Sequence, residues 1–167
     1  MILCALFAAL SAALSQISIP LGPVPINLAT LSVFCAGILL GSKMGSISQL
    51  VYVLLGVVGV PVFSFFSGGI GVLLGPSGGY IIGYVLAAWT VGFIIEHGTN
   101  KTGTLVAAML SGFLSYMILG TCWYMYVTHT GLIPSLMVCV VPFLLGDALK
   151  MAVAVFLSKR LKPIIQR

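Results

Sequence analysis

Residues 50–63 read LVYVLLGVVGVPVF, an apolar run interrupted only by glycine and proline. A strand of a membrane β-barrel alternates polar with apolar side chains, and this run does not alternate. It is typical of a helix that lies in a lipid bilayer. The whole chain has this character, since 60% of its 167 residues are hydrophobic and 5% are charged, whereas a soluble domain carries about 25% charged residues. The sequence therefore predicts an all-α integral membrane protein with a single domain over residues 1–167.

Glycine, proline and rare polar runs divide the chain into six apolar segments, each predicted to cross the membrane as a helix. Their approximate bounds are 1–18, 28–41, 45–60, 79–96, 103–127 and 136–158. Six of the seven basic residues lie in the second and fourth loops and the C-terminal tail, namely Lys43, Lys101, Lys159, Arg160, Lys162 and Arg167. Because basic residues favour cytoplasmic loops, we expect both termini to be cytoplasmic and loops one, three and five to face outward.

The first and third loops are unusual for segments exposed to water. Loop one contains ISIPLGPVPIN (17–27), with three prolines in close succession, and loop three contains PVFSFFSGGIGVLLGPSGG (61–79), which is apolar and rich in glycine. Irregular backbone at membrane depth is tolerated only where it is buried in protein or lines a cavity. We therefore expect both loops to be lid-like or re-entrant at the outer end of the bundle. For loop three, the alternative is a plain extracellular hairpin.

Lys150 is the one basic residue that lies inside an apolar segment, and it shares that segment with Asp147. Residues three apart lie on the same face of a helix. At about 1.5 Å per residue, Lys150 and Asp147 lie roughly 13 Å and 18 Å from Lys159, deep in the membrane. Each such charge costs roughly 2.5–3.5 kcal/mol to insert, so it usually faces inward and marks a functional site. The pair offers a donor beside an acceptor, which suits an amide or urea ligand; the alternative is a self-neutralised pair without a ligand.

Two further patterns are candidates for function. Tyr80 follows the glycine-rich stretch SGGIGVLLGPSGG (67–79) and is expected either in a pocket wall or in an interfacial aromatic belt. The first segment repeats small residues every four positions, as Ala5, Ala9 and Ala13 and as Ala8 and Ala12. Such stripes let helices approach closely, either inside the protein or at a docking face for a partner membrane protein.

Several classes of function are not supported by the residues. An intramembrane enzyme needs at least two cooperating catalytic groups, and Asp147 and Lys150 neutralise each other, so no enzyme activity is expected. The cysteines and histidines do not show metal-ligand spacing, so we expect no metal and no cofactor. The basic residues are few and scattered, so nucleic acid is not an expected partner.

Three stretches together are similar to one family: QISIPLGPVPIN (16–27), GVPVFSFFSGGIGVLLGPSGGY (59–80) and PFLLGDALK (142–150). They resemble the BioY family, the biotin-specific substrate-binding (S) components of energy-coupling factor (ECF) transporters. The resemblance runs over essentially the whole chain. It implies a six-helix bundle in the bacterial plasma membrane that binds biotin from outside. It also implies a partner module of one transmembrane coupling protein and two cytoplasmic ATPases.

The resemblance also implies roles for particular residues. The Asp and Lys of the family's GD-x-x-K motif fall on Asp147 and Lys150, where they contact polar groups of the ligand. The glycine-rich loop adds Gly68, Gly69 and Ser77. Two positions depart from the family pattern. Ser67 stands where relatives often have Asn. Ala29 stands where many relatives have Gln, which leaves Asn27 or Thr30 as the polar candidate in loop one. The family's alanine motif contacts the coupling protein, and Ala5, Ala9 and Ala13, or Ala8 and Ala12, fit it.

We therefore expect a subunit that captures biotin for uptake powered by a separate ATPase module. The alternative is a stand-alone carrier coupled to ions or protons, with Asp147 as the protonatable group. Carriers of that kind usually contain internal repeats, and residues 1–83 do not resemble residues 84–167. A third possibility is a structural or assembly membrane protein, which would bind no small molecule.

Overall fold

A computed structural model describes residues 1–20, 22–99 and 102–165, with side chains up to residue 161. Helices make up most of this part of the chain, and the elements in order are α1 (Ile2–Gln16), β1 (Ser18–Ile19), β2 (Ile26–Asn27), α2 (Ala29–Val57), α3 (Ile70–Leu74), α4 (Gly78–His97), α5 (Thr102–Thr128), α6 (Leu132–Cys139) and α7 (Val141–Ile165). Four stretches are long and apolar enough to cross a membrane, namely α2, α4, α5 and the combined segment Leu132–Leu161. The structure thus agrees with the predicted helical, multi-pass membrane class.

Helix α2 covers the second and third predicted segments and is broken between them. Gly41 has φ 82° and ψ −178°, a conformation essentially confined to glycine. Beyond the break the chain turns back on itself, because a Cβ placed on Gly45 would lie 3.0 Å from the carbonyl oxygen of Ala36. In a straight helix those two positions would be more than 10 Å apart, at about 1.5 Å per residue. The two halves of α2 are therefore separate helices that pack against each other near the turn.

Loop one forms a small antiparallel hairpin, in which Ser18 pairs with Asn27 and Ile19 with Ile26. Loop three contains a 3-10 turn over Ser64–Phe66 and the short helix α3. Its chain folds back, since Phe63 and Ser67 form an isolated bridge and the Gly69 amide donates to the Gly56 carbonyl at 2.6 Å. The two loops thus have defined backbone structure, and the short strands of loop one were not foreseen in an all-α prediction.

The predicted fifth loop and sixth segment are wrong in their bounds. We expected a loop over residues 128–135 and a single helix over 136–158, but α6 begins at Leu132, a break follows at Val140, and α7 runs to Ile165. Pro134 and Pro142 explain both features. Proline is tolerated in the first turn of a helix, where its missing N–H is not needed, but it interrupts a helix that precedes it. Each proline lies in the first turn of its helix, and Pro142 separates α6 from α7.

The core is formed by helices packed side by side. Helix α2 packs on α1 and α4, α4 packs on α5, and α7 packs on α2, α5 and α6. Large apolar side chains such as Leu145 and Leu149 on α7 are exposed, as expected for a surface that faces lipid. Of the basic residues used for orientation, Lys101 and Arg167 lie outside the described residues, as does the side chain of Lys162.

Candidate functional site

A cavity of about 200 Å³ lies between loop one, loop three and the helices below them. Loop one contributes the segment from Gly22 to Pro25 and Asn27, and loop three contributes residues from Phe63 to Val72. Helix α2 contributes Tyr52, and α4 contributes Tyr80, Ile81 and Tyr84. The cavity is enclosed mainly by apolar and aromatic groups with a few serine and asparagine side chains, which is the usual lining of a small-molecule site.

A smaller recess of about 20 Å³ adjoins this cavity on the side of α7. The two spaces share five lining residues, namely Val24, Pro25, Asn27, Tyr80 and Tyr84. The recess is further lined by Thr30, Tyr116, Phe143 and Lys150. A space of this size holds about one small polar group. The cavity therefore has a broad outer part and a narrow polar end.

Asp147 and Lys150 form an ion pair at this polar end, with Lys150 Nζ 2.8 Å from Asp147 Oδ1. Asp147 is completely buried, and Lys150 is 6% exposed. Thr30 connects the two charges, since its hydroxyl accepts a hydrogen bond from Lys150 at 3.1 Å and donates to Asp147 Oδ1 at 3.3 Å. Tyr116 donates its hydroxyl proton to Asp147 Oδ2. Both carboxylate oxygens thus have partners, as a buried charge requires.

Three separate helices bring these four residues together. Thr30 lies in the first turn of α2, Tyr116 lies in the middle of α5, and the ion pair lies on one face of α7. The α5 backbone comes close to α4 because Gly83 has no side chain, and a Cβ there would lie 2.9 Å from Tyr116 Cα. This close approach positions Tyr116 against the cavity. A buried Lys–Asp pair needs such hydrogen-bonding neighbours to offset the loss of water.

Aromatic rings form one wall of the recess. Tyr80 stacks on Phe143 with ring centroids 6.1 Å apart and an interplanar angle of 8°. Tyr116 meets both Tyr80 and Tyr84 edge to face, at 6.4 Å and 5.9 Å. The Tyr80 hydroxyl lies 3.1 Å from Thr121 Oγ1. Tyr80 therefore lines the cavity wall and is buried inside the protein.

Loop three is tied to α1 and to loop one by side chains. Gln16 donates to the Phe63 carbonyl at 3.1 Å and accepts from the Phe66 amide at 2.8 Å. Ser15 donates to the Val62 carbonyl at 2.5 Å. Asn27 donates to Ser64 Oγ at 2.8 Å, which joins the two loops. The outer wall of the cavity is thus fastened to the C-terminal end of α1.

The predicted ligand-binding residues occupy three kinds of position. Asn27, Ser67, Ser77 and Tyr80 line the outer cavity, and Lys150 lines the recess. Asp147 lies behind Lys150 and lines neither of these two spaces. Gly68 and Gly69 also lie outside both linings; a Cβ on Gly68 would meet the Val60 carbonyl oxygen at 2.5 Å, so Gly68 lets loop three pack onto the end of α2.

Sequence reasoning missed Tyr116, Phe143 and Gln16 and named Thr30 only as an alternative. Phe143 lies in the quoted PFLLGDALK motif, four residues before Asp147, so helical spacing could have indicated it. Tyr116 and Gln16 carry no comparable signal, because their partners are far away in the sequence. Their roles depend on the packing of α5 and on the path of loop three.

The structure distinguishes between the two alanine stripes of α1. Ala5, Ala9 and Ala13 are exposed on the outside of the helix. Ala8 is buried and Ala12 is partly buried, both facing the rest of the protein. Internal packing therefore applies to Ala8 and Ala12, whereas the exposed stripe is free to contact another protein. Among the described residues there is no group of three His, Cys, Asp or Glu side chains that could hold a metal ion.

Comparisons with known proteins place the chain in a family. A probable biotin transporter BioY of Pyrococcus horikoshii is 40% identical over 96% of this chain and 94% of its own length. The biotin transporter BioY of Thermotoga maritima is 38% identical over 95% of this chain and 93% of its own length. A crystal structure of the S-component for biotin from an ECF-type ABC transporter superposes with a TM-score of 0.88 at 32% identity, covering 97% of this chain and 89% of that one. The sequence model of the BioY family matches residues 1–167, and the chain belongs to that family.

Proposed function

We propose that this chain is the biotin-capturing S component of an ECF transporter, which binds biotin without changing it chemically. The observation that carries the proposal is the buried Lys150–Asp147 pair at the closed end of a cavity covered by loops one and three. A charged pair inside an apolar protein is costly, and such a pair is rarely present without a function. The names of the relatives and of the matching solved structure support biotin as the ligand.

The chemistry of biotin fits the two parts of the cavity. Its head is a cyclic urea, with a carbonyl between two N–H groups, fused to an apolar thiophane ring. In this proposal the polar end around Lys150 and Asp147 binds the urea, and Tyr80 and Phe143 pack against the ring system. Asn27, Ser67 and Ser77 provide polar contacts in the outer part, and Gly68 and Gly69 shape loop three. Loops one and three then act as the lid.

We further propose six membrane passes with both termini in the cytoplasm. The break at Gly41 and the return of the chain at Gly45 support counting α2 as two passes, and the apolar segment Leu132–Leu161 counts as one. With α1, α4 and α5 this gives six. Lys43, Lys159 and Arg160 then lie on the cytoplasmic side, as expected for positive residues.

The proposed partners are a transmembrane coupling protein and two cytoplasmic ATPases in the plasma membrane. The exposed stripe of Ala5, Ala9 and Ala13 supports α1 as the docking surface, because small side chains allow another helix to approach closely. ATP hydrolysis is assigned to the partner module, and this chain supplies the substrate.

A thermal-shift screen of the purified protein against biotin and other vitamins tests the proposed ligand. A ligand that binds only the folded state stabilises it by about 2.7 kcal/mol at 100 times its Kd. We expect a large rise in melting temperature with biotin and none with the other vitamins. No shift with biotin, or a larger shift with another vitamin, would overturn the proposal. Uptake by liposomes containing this chain alone that collapses with an ionophore would favour the stand-alone carrier.

A further inference from the structure

The Tyr116 hydroxyl lies at the polar end of the cavity in an arrangement that fixes its role in hydrogen bonding. Its ring is 1% exposed, and its proton points to Asp147 Oδ2. Asp147 Oδ1 is already occupied by Lys150 and Thr30. An ionised carboxylate only accepts hydrogen bonds, so the proton in the Tyr116–Asp147 contact belongs to the tyrosine.

A tyrosine hydroxyl has one proton to donate and oxygen lone pairs with which to accept. Because the proton is committed to Asp147, the oxygen can offer only its lone pairs to a group in the recess. Tyr116 lines this recess together with Lys150. Lys150 uses two of its three N–H donors on Asp147 and Thr30. Among the polar groups around this recess, Tyr116 Oη therefore offers an acceptor and Lys150 Nζ offers one remaining donor.

We propose that Tyr116 is a specificity-determining residue that accepts a hydrogen bond from one N–H of the ligand's cyclic urea, while Lys150 donates to the urea carbonyl. The inference rests on the proposed function as a biotin-binding protein. Asp147 has a double role here, since it neutralises Lys150 and holds the Tyr116 proton away from the ligand. Tyr80 differs, because its hydroxyl pairs with Thr121, where either oxygen can be the donor.

The inference predicts how the site rejects related molecules. A site built to bond an N–H group discriminates against an analogue that lacks it, because the buried acceptor is then left without a partner. An analogue in which a ring oxygen replaces one urea N–H keeps the shape of biotin but places a second acceptor against Tyr116 Oη. The wild-type protein should bind the analogue altered at the nitrogen facing Tyr116 at least about tenfold more weakly than biotin, as expected for a buried acceptor left without a partner.

The test compares wild-type and Tyr116→Phe protein by calorimetry with biotin and with the two analogues that replace either N–H by oxygen. Tyr116→Phe should weaken biotin binding about tenfold, as expected for one lost hydrogen bond. It should leave the affinity for one of the two analogues unchanged or raised. An equal loss for all three ligands would mean a purely structural role and would overturn the inference, as would unchanged binding of biotin.

Tyr124→Phe is the matched control, because Tyr124 is also buried, lies two turns further along α5 and lines neither of the two spaces. It should change the affinity for none of the three ligands. If wild-type protein does not bind biotin, the proposed function and this inference both fail. If wild-type protein binds biotin and Tyr116→Phe behaves like Tyr124→Phe, only the inference fails.

A structure of the wild-type protein with biotin tests the same contact without any variant. We expect a urea nitrogen within about 3.2 Å of Tyr116 Oη, the usual limit for a hydrogen bond of this type. A urea that lies with both nitrogens farther than about 3.5 Å from that oxygen would overturn the inference.

Discussion

Lys150 and Asp147 neutralise each other inside the protein, so replacing one leaves the other without its partner. Breaking a buried pair on one side typically costs about 3–5 kcal/mol, because a buried charge remains. We expect Lys150→Ala and Asp147→Asn each to weaken biotin binding at least tenfold, measured by calorimetry on purified protein. Each variant should also lower the melting temperature, since the partner that remains keeps its charge in a buried position.

The double variant Asp147→Asn/Lys150→Met separates stability from binding at this pair. It removes both charges at once, and the cost of an unpaired charge disappears with them. Its melting temperature should therefore exceed that of Lys150→Ala, although biotin binding stays lost. Biotin affinity equal to wild type in any of these variants would show that the pair is not part of the ligand site.

How far the sequence could predict the site depends on how rare each residue type is in a membrane helix. Asp147 and Lys150 stand out because charged residues are expensive there and are seldom kept without a function. Tyr116 and Thr30 complete the same network, but tyrosine and threonine are unremarkable in such helices. Their partner Asp147 lies 31 and 117 residues away along the chain. Only the packing of α2, α5 and α7 reveals that they meet.

At the scale of elements, the turn inside α2 depends on Gly41. A side chain there is strained by the positive φ and also meets the Glu96 carboxylate, which accepts hydrogen bonds from the Ser42 amide and hydroxyl at 2.8 Å and 2.6 Å. Such backbone strain costs about 1–3 kcal/mol. We expect Gly41→Ala to lower the melting temperature of the purified protein clearly.

Gly103→Ala is the control for this prediction, because Gly103 lies in the first turn of α5 and an added Cβ meets nothing within 4 Å. Alanine is the better helix former by roughly 0.5–1 kcal/mol. The control should therefore leave the melting temperature unchanged or raise it slightly. Equal melting temperatures for the two variants would contradict the role given to Gly41.

Gln16 connects α1 to loop three, and this connection should govern how long the ligand stays bound. Its side chain holds both the Phe63 carbonyl and the Phe66 amide. Phe65 and Phe66 have φ of 59° and 55°, a conformation that non-glycine residues adopt only when their surroundings enforce it. We expect Gln16→Ala to raise the dissociation rate of biotin several-fold, measured by chase with unlabelled biotin.

Leu6→Ala, on the exposed face near the other end of α1, is the control for Gln16→Ala. It removes a side chain of similar size without touching loop three, so the dissociation rate should stay as in the wild type. If Gln16→Ala releases biotin at the wild-type rate, the bonds from Gln16 do not hold the lid closed.

The positions at which helices begin, end and break are a second feature that the sequence predicts only in part. Each of the six apolar segments overlaps a helix of the structure, because long apolar runs are typical of helices that lie in a membrane. The polar-looking stretch THTGLIPS (128–135) nevertheless contains the start of α6, since proline in a first turn does not prevent a helix. The break at Gly41 lies at the last residue of the second predicted segment, but the positive φ that makes it a sharp turn is visible only in the backbone.

At the scale of the whole molecule, helix α1 carries the exposed alanine stripe and also holds loop three, which forms part of the cavity wall. The C-terminal end of α1 holds loop three through Ser15 and Gln16, and its outer face carries Ala5, Ala9 and Ala13. The inner face of the same helix carries Ala8, which is 2% exposed. Helix α1 therefore contacts loop three at its end and the protein core on one face, and its other face is exposed.

Because the two faces of α1 differ, we expect different effects from substitutions at the neighbouring residues Ala8 and Ala9. Ala9→Leu enlarges a side chain on the exposed face, so the purified protein should bind biotin with wild-type affinity. Uptake of labelled biotin by cells that also express the coupling protein and ATPases should fall at least tenfold, because a bulky residue prevents the close helix approach that small residues allow. Ala8→Leu instead overfills the core, which typically costs about 1–3 kcal/mol, and should lower the melting temperature.

Ala107→Leu provides the matched control, since Ala107 is an exposed alanine on α5, away from the stripe. It should alter neither binding nor uptake, because lipid adapts to a larger apolar side chain in a way that a packed helix interface does not. Loss of uptake in Ala107→Leu as well would mean that bulk at any lipid-facing position impairs assembly. Normal uptake in Ala9→Leu would place the docking surface elsewhere on the protein, and α1 would then contact only the core and loop three.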